Sequence, residues 1–599
     1  MKTKVIFIVL TFLAAQVFSG CAQNKVVMEN LKKEKIQDNK LIIYQMMVRL
    51  FGNKNTTNKV YGSIEENGVG KFNDINDKAL IELKKLGISH VWYTGVLEQA
   101  TMTDYSAFGI KADDPDIVKG RAGSPYAIKD YYDVSPDLAV DVKNRVAEFE
   151  ALVKRTHNQG LKVLMDFVPN HVARTYNSDA KPAGVIDFGA NDDVSKAFDP
   201  LNDFYYVPGK PFVVPVGTNA GGDLFQSPLK NNKFNENPAK ATGNNVFSEA
   251  PTLNDWSETI KLNYGVDYLN AEKHYFEPMP PVWIKMKDIL TYWAKKDVDG
   301  FRCDMSEMVP IEFWNWVIPE VKKVNPGIIF IAEAYNPKLY EQFLTTGKFD
   351  YLYDKVGLYD GLKRLIKNEA HADVKDISYV VNHESAGFSA KMLRFLENHD
   401  EERIASDGFA QNPWLALPAM VVSATLSTGP VMLYFGQEVG EPGKGVEGFG
   451  GSDSRTSIFD YWGVPEHQKW MNDGKFDGGK LSAEQLKLRD YYGKLLNISA
   501  SNEAISRGEF AEIKDPAMNN RMYAFVRYTD TQRILIAVNF DRGQTLDTHL
   551  KIPEIILNGV AKKAVNFTEL ISNQAQTINS LENGIPVVIP PSGAVIISF

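Results

Sequence analysis

The chain has little cysteine, no excess of positive charge and no membrane-length apolar run after its leader. Only Cys21 and Cys303 occur among 599 residues, too few and too poorly placed for a disulfide framework. Asp and Glu number 75 against 66 Lys and Arg, which gives a formal net charge of -9. This balance lacks the basic footprint of a nucleic-acid-binding protein. What remains is an ordinary globular composition, 44% hydrophobic, with enough apolar mass for a large core.

The first twenty residues have the pattern of a secretion signal. Lys2 and Lys4 precede an apolar run over residues 5–17, which is too short for a comfortable membrane span. Small residues then lead to Cys21, as in a bacterial lipobox, where the cysteine becomes the lipidated first residue. The pattern predicts a lipoprotein signal peptide over 1–20, a polar tether over 21–40, and a lipid-anchored protein of the bacterial cell envelope, periplasmic or outer-membrane associated. Secretion is the alternative, because Phe18 stands where leucine is usual.

Eight apolar runs of strand length alternate with longer amphipathic stretches. Near-continuous apolar strands are typical of a parallel sheet that is buried on both faces. Stretches such as 142–159 and 281–295 have helical periodicity. Eight such units predict a (β/α)8 TIM barrel, in which functional residues follow the C-terminal ends of the strands. The runs cover residues 41–50, 88–94, 161–167, 298–304, 328–333, 349–353, 392–398 and 430–435.

Two regions depart from the repeat. Residues 171–280 are rich in Asn, Gly, Asp and Pro and far exceed a normal loop, which predicts an inserted subdomain after the third strand. The barrel would then comprise residues 41–170 and 281–504. From residue 505 to 599 short alternating strands predict a C-terminal antiparallel β-sandwich domain.

Polar clusters follow four of the predicted strands, and in a barrel they would meet at one rim. Residues 166–171 follow the third strand, Arg302 and Asp304 end the fourth, Glu333 ends the fifth, and residues 397–403 end the seventh. Arg302 and Asp304 point to the same side of their strand. A neighbouring guanidinium lowers a carboxyl pKa by about 1–3 units, which keeps a nucleophilic carboxylate ionised. A structural Arg–Asp pair is the alternative for this strand end alone.

These clusters resemble the four ordered signature regions of the α-amylase family of glycoside hydrolases, glycoside hydrolase family 13, including its bacterial lipoprotein-type α-amylases. The matching segments are DFVPNH at 166–171, GFRCD at 300–304, Glu333 after IIFIA, and FLENHD at 395–400. SPYAIKDY at 124–131 and GPVMLYFGQE at 429–438 support the match.

The resemblance implies a retaining glycosidase. Asp304 would be the nucleophile, Glu333 the general acid and base, and Asp400 the residue that stabilises the oxocarbenium-like transition state. The resemblance also implies sugar contacts, with Tyr126 stacking and histidines donating hydrogen bonds. The implied substrate-binding residues are Tyr126, His171, Arg302, His399 and Arg403.

The resemblance further implies a structural Ca²⁺ on Asn170 and no organic cofactor. An amide oxygen with carboxylates and carbonyls suits calcium. The remaining ligands would come from the insert, where Asp179, Asp187, Asp192 and Asp193 are candidates. Many α-amylases carry Lys-His shortly after the nucleophile, whereas this chain has Glu307 and Met308. Specificity is therefore expected to differ at that point.

The leading functional expectation is hydrolysis of α-1,4-glucosidic bonds in starch, glycogen or malto-oligosaccharides. A transglycosylase or a cyclodextrin- or pullulan-cleaving enzyme of the same family is the first alternative, although such members often carry a β-domain before a barrel that here begins near residue 41. A non-catalytic α-glucan-binding lipoprotein is the second. Such proteins typically lose a catalytic carboxylate, and this chain has all three, Asp304, Glu333 and Asp400.

Overall fold

The computed structural model describes residues 40–557 and 563–599. The predicted signal peptide, the lipidation site Cys21 and residues 21–39 of the tether lie outside the described residues. Among the described helices, none combines the length and apolar character that a bilayer crossing needs.

Eight parallel strands form one sheet that curls into a barrel, which confirms the predicted fold. In sheet order they run β7-β6-β5-β4-β3-β2-β1-β8. A single bridge between Arg394 and Val431 joins the last strands and closes the ring. The strands are β1 Ile42–Met47, β2 His90–Thr94, β3 Lys162–Phe167, β4 Gly300–Cys303, β5 Ile329–Ala332, β6 Tyr351–Tyr353, β7 Met392–Leu393 and β8 Val431–Tyr434.

Strand β4 shows why the barrel is continuous and tightly packed at its centre. All four of its residues are buried, as expected for a parallel strand covered on both faces. A side chain at Gly300 would meet Ile329 and Leu164 at 2.6–2.7 Å, so the neighbouring strands leave room only for glycine. The register places Arg302 level with Asp166 on β3 and with Ile331 on β5.

Helices alternate with the strands and cover the outside of the barrel. The predicted helices over 142–159 and 281–295 occur as Arg145–Asn158 and Pro281–Ala294. The other α-helices of more than four residues are Asp77–Lys85, Ile311–Val324, Tyr340–Thr345, Asp360–Ile366, Lys375–Tyr379, Leu417–Thr425, Pro465–Met471 and Ala483–Ser501.

The seventh strand is much shorter than the prediction of residues 392–398. It ends at Leu393, and the chain then turns to present residues 397–403 at the rim. The side-chain oxygen of Asn398 accepts hydrogen bonds from the backbone N–H groups of Asp400 and Glu401 at 2.8 and 3.0 Å. Such side-chain bonds satisfy the backbone in a turn and replace the strand ladder.

The region between β3 and the helix at Pro281 consists mainly of loops joined by short strand pairs. His171–Ala173 pairs with Thr259–Lys261, and Tyr206–Val207 pairs with Ala239–Lys240. A separate hairpin precedes β3, in which Leu97–Gln99 pairs with Ile128–Val134.

After the barrel the chain forms antiparallel sheets around a second apolar core. Leu546–Leu550 and Ile585–Ile589 form a two-stranded sheet whose residues share that core with the larger sheet. The six strands of the larger sheet are, in sheet order, Glu509–Ile513, Met522–Tyr528, Arg533–Asn539, Ala594–Ser598, Lys563–Glu569 and Gln574–Ser580.

Candidate active site

A cleft of about 360 Å³ lies at the C-terminal ends of the barrel strands. It brings together the three carboxylates Asp304, Glu333 and Asp400, which come from the ends of β4, β5 and β7. Tyr126 and His171 also line it. Side chains from four distant parts of the sequence thus share one opening, as the barrel prediction required.

Arg302 is a fully buried guanidinium that contacts several carboxylates at once. Its Nη1 donates to Asp304 Oδ1 at 2.7 Å and lies 3.5 Å from Asp166 Oδ1. Its Nη2 lies 2.5 Å from Glu333 Oε1, and its Nε donates to the Tyr353 hydroxyl at 3.2 Å. Because its side chain is buried among these carboxylates, Arg302 holds them in position. The resemblance had implied that Arg302 contacts substrate.

The pKa of the Asp304 carboxyl differs from the expectation. Burial and the neighbouring Glu333 carboxylate raise it well above its ordinary value, and Arg302 opposes this rise. The sequence indicated a single carboxylate beside the guanidinium, but the barrel places three around it.

Glu333 is held from both sides of its carboxyl. Its Oε2 accepts from the backbone N–H of Met305 at 2.7 Å, and its Oε1 accepts from the Tyr335 hydroxyl at 2.6 Å. Met305 has φ 42°, a left-handed backbone that is uncommon for methionine. This conformation directs the amide that follows Asp304 towards the carboxyl of Glu333.

Asp400 lies at the mouth of the cleft with 42% of its side chain exposed. Burial opposes its ionisation, but His399, Arg302 and Arg455 outweigh that effect and lower its pKa to about 2. His399 Nε2 lies 3.1 Å from Asp400 Oδ2 and 2.6 Å from the Tyr126 hydroxyl. Gln45 Nε2 lies 2.8 Å from His399 Nδ1, a contact that helps to orient the ring.

Tyr126 and His171 lie in the cleft wall. The Tyr126 ring stacks on the His399 ring with centroids 5.1 Å apart and lies over the Arg302 guanidinium. His171 packs against Trp256 of the insert, with centroids 5.5 Å apart. Burial, reinforced by Lys261 and Lys119, lowers the His171 pKa to about 3, so this ring is neutral at physiological pH.

The structure corrects the role that the resemblance implied for Arg403, which was a contact with substrate. Its side chain is fully buried and forms a 3.0 Å ion pair with Glu397. It also donates to Thr456 Oγ1 and to the Phe435 carbonyl, each at 2.8 Å. These partners bind together the loops after β7 and β8, so Arg403 supports the rim from within and does not line the cleft.

The surroundings of Asn170 do not fit the calcium ion that the resemblance implied, which is the second correction to the expected site residues. The Lys261 ammonium donates to Asn170 Oδ1 and, at 3.1 Å, to the Met308 carbonyl. Asn170 Oδ1 is the amide oxygen that the resemblance offered to the metal. Lys261 is only 1% exposed, and burial lowers its pKa to about 7. Its Nζ group nevertheless donates to both oxygens and occupies the place that a divalent cation would need.

Several cleft residues were not identified from the sequence. They come from the segment before β3, from the insert, from the loop after β5 and from the loops after β8, and no local pattern marks them. Lys119 and Glu258 form an ion pair across the cleft wall at 2.5 Å. Arg455 donates to the Asp400 carbonyl at 3.0 Å. The additional lining residues include Lys119, Trp256, Glu258, Tyr335, Arg455 and Phe459.

Glu307 and Met308, where the sequence departs from the common pattern, have structural partners. Glu307 Oε1 accepts from the backbone N–H of Asn336 at 2.7 Å, which joins the loops after β4 and β5. Met308 supplies the carbonyl that Lys261 contacts. The departure therefore lies where Lys261 contacts the segment after β4.

Comparisons with known proteins agree with this geometry. The family model described as the α-amylase catalytic domain matches residues 52–474. Among curated proteins, α-amylase 3 of Dictyoglomus thermophilum is 21% identical over 531 residues, which are 84% of this chain and 85% of that protein. The cyclomaltodextrinase of a Bacillus species is 22% identical over 523 residues, covering 84% of this chain and 74% of its own length.

Solved structures share the fold. A maltogenic α-amylase from Thermotoga neapolitana has a TM-score of 0.57 at 20% identity, covering 93% of this chain and 98% of its own. An α-amylase from Geobacillus thermoleovorans, solved with acarbose, has a TM-score of 0.59 at 20% identity, covering 94% and 99%. With the family model spanning most of the barrel, the chain belongs to the α-amylase family, glycoside hydrolase family 13.

Proposed function

We propose that this protein is a retaining glycosidase that hydrolyses α-1,4-glucosidic bonds in starch, glycogen or malto-oligosaccharides. The observation that carries the proposal is Arg302, one guanidinium in contact with both Asp304 and Glu333. A shared partner holds the two carboxyls close together. Retaining glycosidases need a separation of about 5–5.5 Å, whereas inverting enzymes leave room for a water between their carboxyls.

In the proposed first step Asp304 attacks the anomeric carbon while Glu333 gives its proton to the leaving glycosidic oxygen. The bond from the anomeric carbon to that oxygen breaks, and a covalent glycosyl ester forms on Asp304. In the second step Glu333 takes a proton from water, whose oxygen displaces the ester. Arg302 donates a hydrogen bond to Asp304 Oδ1, which favours the anionic form that a nucleophile needs.

The third carboxylate, Asp400, carries full negative charge at working pH because its pKa is about 2. That charge lies at the mouth of the cleft, near the developing positive charge of an oxocarbenium-like transition state. Tyr126 offers an aromatic face, and His399 offers an N–H group, for recognition of a sugar ring.

The experiment that tests the proposal compares purified full-length protein on soluble starch, pullulan and cyclodextrins. We expect starch to be cleaved fastest, and we expect NMR of the fresh products to show the α anomer before mutarotation. Initial β anomer would contradict the retaining mechanism. A faster rate on cyclodextrins or pullulan would assign the alternative specificity, which the cyclomaltodextrinase relative supports. No turnover of any α-glucan would favour the binding-protein alternative.

We also propose that Cys21 carries a lipid anchor in the bacterial cell envelope. The support is the leader and lipobox of the sequence. A Cys21→Ser variant, expressed with its own signal in a Gram-negative host, is expected to move from the membrane fraction to the soluble or secreted fraction. Cys303→Ser is the matched control, since that thiol is buried in the barrel. Unchanged membrane fractionation of Cys21→Ser would refute the anchor.

A further inference from the structure

Four carboxylates gather at the junction between the barrel hairpin and the insert. Asp130 and Asp133 belong to the strand Ile128–Val134, Glu98 lies on the opposing strand, and Asp179 belongs to the insert. One oxygen from each lies within 4.8 Å of the corresponding oxygen of every other. Glu98, Asp130 and Asp133 are buried, and Asp179 is exposed.

A β-bulge directs these side chains to one point. Leu97 pairs with Val134, and the next residue, Glu98, pairs with Asp130, so residues 131–133 have no partners on the other strand. Along a regular strand, residues three apart face opposite sides. The bulge removes this restriction and brings Asp133 to the side of Asp130, as bulges commonly do near functional sites.

The surroundings of the Glu98 carboxylate indicate that a ligand binds here. Its side chain is 1% exposed, and within the described residues neither of its carboxylate oxygens has a hydrogen-bond partner. A buried carboxylate without partners is costly unless a cation binds it.

The neighbouring cations are already committed to other groups. Lys129 Nζ lies 3.2 Å from Asp113 and 3.9 Å from Glu98 Oε1. Arg145 Nε donates to both oxygens of Asp133 at 2.9 Å. In the part of the chain that the structure describes, no ion pair within 4 Å reaches Asp130 or Asp179. Four carboxyl groups thus lie beside two cationic side chains, Lys129 and Arg145.

We infer that Glu98, Asp130, Asp133 and Asp179 bind a divalent cation, Ca²⁺, which joins the hairpin to the insert. Ca²⁺ takes carboxylate oxygens at about 2.3–2.6 Å, so ligands on opposite sides of it lie about 4.8 Å apart. The oxygens of the cluster fall within that span. Glu98 offers two free oxygens for bidentate binding, while Ser178 and the Ala180 and Tyr132 amides orient Asp130. Waters would complete the coordination sphere.

The proposed ion would lie between the hairpin and Asp179 rather than at Asn170, whose oxygen accepts a hydrogen bond from Lys261. Tyr126 of the cleft precedes Asp130 on the same segment by four residues. An ion at the cluster fixes the segment that carries this sugar-stacking ring. Its expected contribution is to stability rather than to any step of the reaction.

The test uses the full-length protein, stripped with EDTA, dialysed and titrated with CaCl2. We expect about one tightly bound Ca²⁺ per chain by elemental analysis and a rise in Tm of about 3 °C at 1 mM Ca²⁺. MgCl2 at the same concentration should give a smaller rise, because Mg²⁺ demands a tighter octahedral shell. Absence of bound Ca²⁺ together with an unchanged Tm would overturn the inference.

Two variants locate the ion. Glu98→Gln should fold as well as the stripped wild type, because it removes a buried charge, but its Tm should no longer respond to Ca²⁺. Asp179→Asn, at an exposed position that tolerates substitution, should weaken Ca²⁺ binding at least tenfold in calorimetric titration. Asp193→Asn changes an exposed acid elsewhere in the insert and should titrate as wild type. A full Ca²⁺ response in both cluster variants would place the ion elsewhere and refute the assignment.

Discussion

Glu333→Gln is expected to lower kcat/KM on starch by about 10³-fold or more, with little change in fold or in binding. Glutamine keeps the shape of the side chain and can still accept the 2.7 Å hydrogen bond from the Met305 amide. It cannot give a proton to the leaving oxygen or take one from water. The loss should appear in kcat rather than in KM, because the affected interactions arise in the transition state.

A substrate with a reactive leaving group separates this role from structural damage. An α-maltosyl fluoride needs no proton to release fluoride, so the first step should survive in Glu333→Gln. Added azide needs no general base, and it should restore turnover by forming the α-azide from the Asp304 ester. A matched control, Glu307→Gln, changes a carboxylate that accepts a hydrogen bond from the Asn336 amide, and it should keep most activity on starch. Full starch activity in Glu333→Gln would reject the assignment.

The barrel could be predicted because each of its strands has a local signature. A strand such as β4 is apolar throughout, and polar residues follow where the buried sheet ends. The ends of the strands were less predictable. The motifs DFVPNH and FLENHD each combine residues at or just past the end of a strand with the turn that presents the polar groups. The side chain of Asn398 decides where β7 gives way to the rim, and a turn of this kind follows from three-dimensional hydrogen bonding rather than from periodicity.

The candidate site likewise has one part that the sequence predicts and another part that it does not. Asp304, Glu333, Asp400, Tyr126 and His171 follow from motifs, and the structure places them in one cleft. The roles of their supports do not follow from motifs. Arg403 lies near a catalytic residue in sequence but turns into the rim, towards Glu397. Lys261 is about 90 residues from Asn170 and lies in a loop-rich insert without periodicity. No pattern in the sequence could therefore show that its amino group contacts Asn170.

Arg302→Gln is the second substitution with a large expected effect, and it should lower stability as well as activity. We expect a loss of about 3–5 kcal/mol in the free energy of unfolding at pH 8, because the substitution leaves three buried carboxylates without their shared cation. Arg455→Gln is the control. It removes another guanidinium near the cleft, but one that is 47% exposed and paired with Asp453 at the surface, so its loss should be within about 1 kcal/mol.

The pH dependence of the Arg302→Gln defect tests its electrostatic origin. Burial raises the pKa of both Asp166 and Asp304, and Arg302 opposes the rise in each. Without Arg302 these folded-state pKa values rise further above those of the unfolded chain. Carboxyls of this kind stabilise the fold below the unfolded pKa and lose that contribution as the pH rises through the folded pKa. Urea denaturation at pH 5 and pH 8 should therefore show a smaller difference from wild type at pH 5. An equal deficit at both values would mean that lost packing, not unpaired charge, causes the destabilisation.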